Sequence, residues 1–368
     1  MKFTISQDEF LRGLGATSGV VPTRTTLPIL SEILLETTGE GIQLSATDLD
    51  LSVTVHAKAQ VKDAGAVTLL ARRLHELVRE LPPSPIHVDS TGEKVGIECE
   101  KTKFRFFGHA KTDFPTFPTI DFVDALDIPA ATLAKLVQHT TYAASTEDTR
   151  PILNGVLWEV TKEETRMVAT NGHRLASYRV KRDGKTKPVS VIVPPKSLLY
   201  ALKIFEGQEG LEVAFGENQL AIRGGGNVLY TRLIEGPYPN YQQVIPQDND
   251  KTAIADRDGL THALRRMAVV ASDQTHRVKL SLKDGDLNFF ASTPDVGEAN
   301  ERMPVEYRGD PLEIGFNASY LLEVLKYTES DQVQLTFKSP ERAALITPHG
   351  KSADEDYLAL VMPLRLQE

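Results

Sequence analysis

A histidine and an arginine follow a glycine in the segment 170–175, Thr-Asn-Gly-His-Arg-Leu, and this is the arrangement in the chain most suggestive of catalysis. His173 could transfer a proton and Arg174 could stabilise an anion, but no nucleophile or carboxylate stands at a telling spacing from them. A β-turn between two strands, in which Asn171-Gly172 supplies a positive φ, explains the same residues. The turn is the favoured interpretation. An enzyme with a His173/Arg174 cleft between domains is the alternative.

Other patterns that could carry chemistry are weaker. The nine histidines form no HxxxH or HxH pair, so a metal site lacks ligand spacing. The three glycines at 224–226 are not followed by a helix opening with Lys-Ser or Lys-Thr, which favours a hairpin loop over a phosphate cradle. Cys99 is the single cysteine, which excludes internal disulfides and a cysteine-rich zinc site. We therefore expect no catalytic residues, no metal and no cofactor.

Basic residues recur on or next to predicted helices in each third of the chain. Each of them, taken singly, is explained as a solvated surface residue, but their recurrence predicts a helical layer that presents cations to a shared polyanion. The formal net charge of −9 argues against a protein that coats nucleic acid generally, but it leaves room for a local basic face. These residues are Arg24, Arg72, Arg73, Arg79, Arg150, Lys196, Lys203, Arg265 and Arg266.

The chain closes on an apolar run, Leu360–Leu366, that contains Met362 and Pro363. A last edge strand is the interpretation favoured by the residues alone, with Pro363 at a position that needs no ladder donor. The alternative is an apolar groove that receives an extended peptide, with methionine supplying an adaptable surface.

The elements that must position these residues repeat about every 123 positions. Pro28-Ile29-Leu30 matches Pro151-Ile152-Leu153, and Ala46-Thr47-Asp48 matches Ala169-Thr170-Asn171. A period of this length corresponds to a whole domain rather than to a solenoid unit. The sequence predicts three related domains, 1–124, 125–249 and 250–368, with linkers near 121–127 and 247–251. Gly172-His173-Arg174 and the Met-Pro tail have no counterpart in the first repeat, so we expect one partner groove rather than three.

Each repeat is predicted to contain two amphipathic helices and about eight strands. Apolar residues at three- and four-residue spacing place the first helices over roughly 7–19, 130–143 and 257–271, and the second over roughly 71–81, 195–206 and 317–328. Asn317 and Ser319 are candidate cap residues. Strict alternation over 49–61 indicates a half-buried strand. Hairpin turns are expected at 39–41, 183–184, 224–226 and 284–285.

Composition bounds the class of protein. With 41% hydrophobic and 25% charged residues over 368 positions, the chain has enough apolar material for a core in each repeat. The N-terminus lacks the pattern of a signal peptide, and no apolar run is long enough to span a bilayer. Together with a single cysteine, these features lead us to expect a cytoplasmic protein without membrane partners.

Several segments in order resemble the DNA polymerase III β subunit family, the bacterial sliding clamps. The match extends over the whole chain, and although single motifs are weak, the ordered set is specific. The segments are 1–5 (MKFTI), Arg24 with 26–30 (TLPIL), 46–49 (ATDL), Arg150 with 153–155 (LNG), 169–175 (ATNGHRL), 238–241 (YPNY) and 361–366 (VMPLRL).

The resemblance implies an α+β fold of three repeated DNA-clamp domains, each with two helices packed on antiparallel sheets. Two chains would close head to tail into a ring, with helices lining the hole and sheets forming the outer wall. The interface would join the first domain of one copy to the third domain of the other. By motif match its residues would be Lys103, Phe104, Arg105 and Phe106 against Val269, Val270, Glu298 and Glu301.

The implied function is that of a clamp that encircles duplex DNA and tethers the replicative polymerase, giving it processivity. The ring would hold DNA topologically, through weak contacts to phosphates that are blind to sequence. The other implied partners are a second copy of the chain, the clamp loader and further proteins with a clamp-binding motif. The implied DNA contacts are Arg24, Arg72, Arg73, Arg150, Lys196, Lys203, Arg265 and Arg266.

The family also has a groove between its second and third domains that captures short apolar motifs, which favours the groove interpretation of the tail. By motif match the groove would be lined by Leu153, Thr170, Gly172, His173, Arg174, Leu175, Pro239, Val244, Val361, Met362, Pro363, Leu364 and Arg365. Two departures from the family pattern stand out: Asn171 replaces an aspartate, and Gln242-Gln243 replace arginines. Besides the enzyme, a scaffold of the same fold that acts without DNA remains an alternative.

Overall fold

The computed structural model describes residues 1–147, 149–184, 186–272, 274–350 and 354–366. The chain divides into two compact units. The first unit comprises Met1–Ala131 and Lys196–Leu233, and the second comprises Thr132–Pro195 and Ile234–Glu368. Within the described ranges no helix is long and apolar enough to cross a membrane.

The periodicity correctly predicted the α-helices. Six α-helices lie in the described part of the chain, and each begins within one residue of the predicted start: α1 (Gln7–Ser18), α2 (Ala71–Glu80), α3 (Ala130–Gln138), α4 (Pro195–Ile204), α5 (Arg257–Ala268) and α6 (Ala318–Lys326). Asn317 caps α6, since its side chain accepts the Ser319 amide at 2.9 Å, whereas Ser319 lies inside the helix.

Helix α3 ends five residues earlier than predicted, and the cause is local. The His139 ring bonds the Lys135 carbonyl at 2.7 Å, and the hydroxyls of Thr140 and Thr141 donate to the carbonyls four residues before them at 2.6 and 2.8 Å. Side chains that occupy the last carbonyls compete with the next helical amides. A single 3-10 turn at Thr141–Ala143 follows.

Twenty-six strands lie in the described residues, nine, eight and nine of them in the three predicted domains, close to the expected eight. They are β1 (Lys2–Ser6), β2 (Glu32–Thr38), β3 (Gly41–Thr47), β4 (Leu51–Lys58), β5 (Gln60–Asp63), β6 (Ala66–Leu70), β7 (Pro85–Thr91), β8 (Lys94–Cys99), β9 (Thr102–Phe107), β10 (Leu126–Pro129), β11 (Val156–Val160), β12 (Glu164–Thr170), β13 (Arg174–Lys181), β14 (Val189–Val193), β15 (Gly210–Phe215), β16 (Gln219–Gly224), β17 (Asn227–Arg232), β18 (Lys251–Asp256), β19 (Arg277–Lys283), β20 (Asp286–Thr293), β21 (Gly297–Pro304), β22 (Glu306–Arg308), β23 (Leu312–Asn317), β24 (Gln332–Phe337), β25 (Ala344–Pro348) and β26 (Glu355–Val361).

Every strand pair among the described residues is antiparallel, and the described part of each unit forms two sheets. The first unit has a five-stranded sheet, β5-β1-β7-β8-β9, and an eight-stranded sheet, β10-β15-β16-β17-β4-β3-β2-β6. The second unit has a nine-stranded sheet, β14-β11-β12-β13-β26-β25-β24-β18-β22, and a four-stranded sheet, β21-β20-β19-β23. The α+β class predicted from the sequence is therefore confirmed.

The two longest sheets each join two sequence repeats by an ordinary strand pair. In the first unit β17 pairs with β4, with Leu229 opposite Val53. In the second unit β26 pairs with β13, with Ala359 opposite Ala176. Val53 and Ala176 are 123 residues apart, so the same position of the repeat forms both junctions. This pairing explains why three repeats give two compact units, because half of the central repeat joins each neighbour.

Most of the predicted turns are correct. Gly39–Gly41, Gly224–Gly226 and Asp284-Gly285 connect paired neighbouring strands. The hairpin predicted at Asp183-Gly184 is wrong, because β14 pairs with β11 rather than with the preceding β13. The alternating segment 49–61 forms β4 and the start of β5.

The interpretation of the tail as an edge strand is also wrong. Strand β26 lies between β13 and β25 inside the nine-stranded sheet, and it ends at Val361. Pro363 therefore comes after the strand, where no ladder hydrogen bond is lost. The tail then returns to pairing, since the Leu364 amide donates to the Gly315 carbonyl at 2.8 Å.

Candidate functional site

The turn between β12 and β13 is held by its own side chains. The Thr170 hydroxyl donates to the Arg174 carbonyl at 2.7 Å and accepts the Gly172 amide at 3.1 Å. The Asn171 side-chain oxygen accepts the amides of His173 and Arg174, both at 3.0 Å. Gly172 has φ of +86°, which confirms the turn interpretation for the glycine. The turn explains the Asn-Gly pair without catalysis.

Arg174 makes contacts that stabilise the fold. Its guanidinium bonds the Glu323 carboxylate and the Tyr142 carbonyl, and it lies 4.5 Å from the centre of the Tyr320 ring. The residue is 8% exposed, and burial lowers the pKa of its guanidinium. A guanidinium enclosed in this way cannot contact a substrate beside the exposed His173 ring, so the enzyme alternative lacks its second group. Neither Tyr142, Tyr320 nor Glu323 carried a sequence signal, because their role depends on tertiary contacts.

The second unit contains all the residues predicted for the groove, but it places them in two groups. Leu153, Arg174, Leu175 and Val361 are buried, with Leu175 in an apolar cluster that also contains Leu360 and Tyr241. The groove residues that reach the surface, wholly or in part, are Thr170, Gly172, His173, Pro239, Val244, Met362, Pro363, Leu364 and Arg365.

Two surface segments carry the other exposed groove residues. Met362 is 40% exposed, and its amide donates to the His173 carbonyl at 2.8 Å, which fixes the tail against the turn. In the second segment, Tyr241 anchors the chain that carries Pro239 and Val244. The Tyr241 hydroxyl donates to Glu159 at 2.7 Å and accepts from Arg166 at 3.1 Å.

All eight predicted cations are exposed, and six of them lie on helices. On α2, Arg72 and Arg73 contact Glu76 at 2.9 and 3.4 Å. On α4, Lys196 contacts Asp48 at 2.6 Å, and the Lys203 ammonium donates to the Gly15 carbonyl at 3.1 Å. Exposed ion pairs of this kind are weak and exchange readily for other partners.

The other predicted cations lie at separate places in the two units. Arg265 and Arg266 are neighbours in the last turn of α5, and Arg266 contacts the Glu301 carboxylate at 2.8 Å. Arg24 and Arg150 lie in loops. Within the described residues, no group of three His, Cys, Asp or Glu side chains is placed to hold a metal ion.

Among the strands that end a sheet are β9 in the first unit and β21 in the second, and each leaves one edge unpaired. Phe107 is 75% exposed at the end of β9, and Phe104 and Phe106 are half-buried along it. Val269 is 80% exposed just after α5, which packs against β21. One ionic residue on each strand has a partner in the chain: Lys103 contacts Glu98 at 3.0 Å, and Glu301 contacts Arg266. Exposed aromatic and aliphatic groups beside open strand edges are typical of interfaces.

Repeats of two helices on antiparallel sheets, joined edge to edge through matching strands, are the fold of the processivity clamps, which act without catalysing a reaction. The sequence matches the three domain families of the DNA polymerase III beta subunit: the N-terminal domain over 1–118, the central domain over 127–240 and the C-terminal domain over 242–365. The chain belongs to the DNA polymerase III beta subunit family. It is a DNA sliding clamp, as the sequence resemblance predicted, and the enzyme alternative is not favoured.

Relatives match over their full length. Beta sliding clamps of Pseudomonas putida and Escherichia coli K12 are 32% and 31% identical to this chain, with 100% of each chain covered. A crystal structure of the Pseudomonas aeruginosa clamp bound to griselimycin has a TM-score of 0.94 at 31% identity, and the Bacillus subtilis clamp has 0.95 at 28% identity. Both structures also cover 100% of this chain and of their own.

Proposed function

We propose that this sliding clamp acts as a ring of two chains joined head to tail around duplex DNA. The observation that carries the proposal is the repeated junction. Strand β4 of the first repeat pairs with β17 of the second, and β13 of the second pairs with β26 of the third. The corresponding strands that lack a partner on one edge are β9 and β21. A third junction of the same kind would pair β9 of one copy with β21 of the next, and two such junctions close a ring.

The proposed interface uses the exposed groups beside these edges. Phe104, Phe106 and Val269 would lose their contact with water, and this burial would supply most of the affinity. The cations of β9 and the carboxylates of β21 would face each other and fix orientation, with Lys103 and Glu301 giving up their present partners. The proposed interface residues are Lys103, Phe104, Arg105, Phe106, Val269, Val270, Glu298 and Glu301.

The eight exposed cations are proposed as contacts to DNA phosphates. The ion pairs that four of them make with carboxylates are exposed and weak, so phosphates can displace those carboxylates. The chain as a whole carries −9, so attraction to DNA has to come from local cations such as these rather than from the net charge. Contacts of this kind hold any sequence, which suits a ring that slides. The residues are Arg24, Arg72, Arg73, Arg150, Lys196, Lys203, Arg265 and Arg266.

We propose that the exposed groove residues of the second unit capture short apolar motifs of the polymerase catalytic subunit, the clamp loader and other clamp-binding proteins. Met362, Val244 and Pro239 offer an apolar lining around a turn fixed by hydrogen bonds. Clamps of Pseudomonas aeruginosa and Bartonella birtlesii have been solved bound to griselimycin, which therefore provides a probe for this chain. We expect Met362→Lys to weaken any groove ligand without changing the folding of the second unit.

The predicted domain boundaries, 1–124, 125–249 and 250–368, and a cytoplasmic location are part of the same proposal. The boundaries fall where exposed linkers precede β10 and β18, and a replication protein with one cysteine suits the reducing compartment that holds bacterial DNA.

The decisive experiment loads the chain onto nicked circular DNA with its clamp loader and then cuts the circle with a restriction enzyme. A ring stays on the circle through gel filtration and leaves once the DNA has ends. The charge-reversed triple variant Arg24→Glu, Arg73→Glu, Lys196→Glu should load poorly, whereas a scaffold that acts without DNA would be unaffected. Retention that does not depend on DNA topology would overturn the proposal.

A further inference from the structure

We propose that the first unit carries a second peptide-binding cleft, which takes a short extended peptide with an acidic side chain next to an apolar one. This surface, the junction cleft, lies where β4 and β17 join two repeats. It has a volume of about 320 Å³, within the range of small ligand sites. The residues that carry the argument are Thr47, Leu49, Ser52, Pro115, Phe117 and Arg232.

The turn at the junction cleft repeats the hydrogen bonds of the groove turn. The Thr47 hydroxyl accepts the Leu49 amide at 2.9 Å and donates to the Leu51 carbonyl at 3.2 Å. The Asp48 carboxylate accepts the amides of Asp50 and Leu51 at 3.1 and 2.7 Å. These four bonds correspond, 123 residues earlier, to those made by the side chains of the threonine and asparagine in the groove turn.

The strand that closes the cleft is also equivalent. The Arg232 amide donates to the Asp50 carbonyl at 2.8 Å, just as the Met362 amide donates to the His173 carbonyl at 2.8 Å. A proline and an aromatic residue two positions later complete each site, Pro115 and Phe117 here. The expectation of a single groove rested on side chains that differ between the repeats, whereas the backbone frame occurs twice.

The side chains that differ define the ligand. Ser52 and Thr231 lie where the groove has Leu175 and Val361, so the floor of the junction cleft carries hydroxyls. The Thr47 and Ser52 hydroxyls bond each other at 2.7 Å, so the floor is polar and held by its own hydrogen bonds. A peptide held here meets a more polar floor than a peptide held in the groove.

Arg232 supplies the preference for an acidic side chain. Its side chain is 67% exposed, and its contact with Asp50, itself 78% exposed, spans 3.8 Å. An ion pair that is this exposed and this long is weak, and a ligand carboxylate can replace Asp50 as the partner of Arg232. The other nearby carboxylate, Asp48, is occupied by Lys196 at 2.6 Å. Arg232 is therefore a cation at the rim of the cleft that can bind a ligand carboxylate.

Apolar groups supply the neighbouring subsite. Pro115, Phe117 and Pro118 form a partly exposed wall of the cleft. Leu49 is the residue of the first repeat that corresponds to Gly172 of the groove. Its φ is +80°, and 45% of its surface is exposed. A leucine in this conformation is strained, and a side chain held half in water by a strained backbone is available for contact with a ligand.

The test titrates the full-length protein, labelled on leucine and valine methyl groups, with two probes, acetyl-Glu-Leu-Phe-amide and acetyl-Lys-Leu-Phe-amide. We expect the Leu49 methyl resonances to shift with the glutamate probe and the lysine probe to bind at least about tenfold more weakly. Arg232→Gln should weaken the glutamate probe about tenfold. The matched control is Arg342→Gln, an exposed arginine paired with Asp248 at 3.2 Å in the second unit.

Three results would overturn the proposal: no shift at Leu49 at millimolar probe, equal binding of the two probes, or a Leu49 shift with a short single-stranded oligonucleotide in place of the peptide. Shifts at Leu364 report the groove of the second unit separately. The two peptide sites can therefore fail independently, and the methyl resonances of Val53 show that each variant is folded.

Discussion

Replacing Val269 with lysine tests the proposed interface at its most exposed apolar residue. The side chain is 80% exposed, so the substitution should change the free energy of unfolding of the chain by no more than about 0.5 kcal/mol. In the ring the valine would be buried, and losing that burial costs about 1 kcal/mol. The new ammonium would also face Lys103 and Arg105 of the proposed partner strand, which adds about 1 kcal/mol of like-charge repulsion. Two interfaces per ring double the sum to about 4 kcal/mol, a rise in dimer Kd of about 10³-fold.

Sedimentation velocity over a range of concentrations measures this change directly. The matched control is Val123→Lys, because Val123 is 87% exposed in the linker before β10 and belongs to neither proposed interface strand. We expect the control to keep the parent dimer Kd and both variants to keep the parent melting temperature. Adding Lys103→Glu to Val269→Lys should recover part of the affinity. Equal dimer strength in the two single variants would refute the reasoning, as would a loss of dimer that accompanies a loss of folding.

Three further outcomes can be measured on the same protein. Burial lowers the pKa of His139, so on acidification the unfolded chain protonates this histidine before the folded chain does, and the free energy of unfolding should fall below about pH 6.5. His139→Gln should reduce this fall when urea denaturation is measured as a function of pH. Phe316→Ala, at a side chain with no exposure, should lower the free energy of unfolding by about 3–5 kcal/mol, and a loss below about 1 kcal/mol would show that the site collapses. Arg265→Ala should weaken DNA binding alike for all sequences and reduce the salt slope by about one, whereas a sequence-dependent loss would contradict a phosphate contact.

The sequence predicted helices better than it predicted sheets. A stripe such as Leu260 and Leu264 in α5 marks a helix by its spacing alone, because helix contacts are local. The partners of β13, by contrast, lie next to it in β12 and far along the chain in β26. No local pattern encodes that second pairing, which is why the Asp183-Gly184 hairpin was wrong and the continuity of sheets across repeats was not foreseen.

The groove shows a similar division. The turn residues Asn171 and Gly172 were recognisable because turn chemistry depends on a few adjacent positions. The burial of Arg174 was not, because it depends on Glu323 and two tyrosines from other elements. The motif match itself predicted the groove residues as one set. It could not separate the groove residues that are buried in the core from those at the surface that a partner can contact.

Paired strands at the junctions also mean that the peptide linker is not what holds neighbouring repeats together. The first junction keeps its ladder from Thr54 and Val228 to Leu51 and Thr231, whether or not the chain is continuous through 119–125. A protease that nicks this exposed stretch would give two bands on a denaturing gel and an unchanged native particle. Chain breaks in the linker would therefore leave the native structure unchanged until the sheet itself unfolds. The same tolerance makes this linker a natural place to split the gene or to insert a tag.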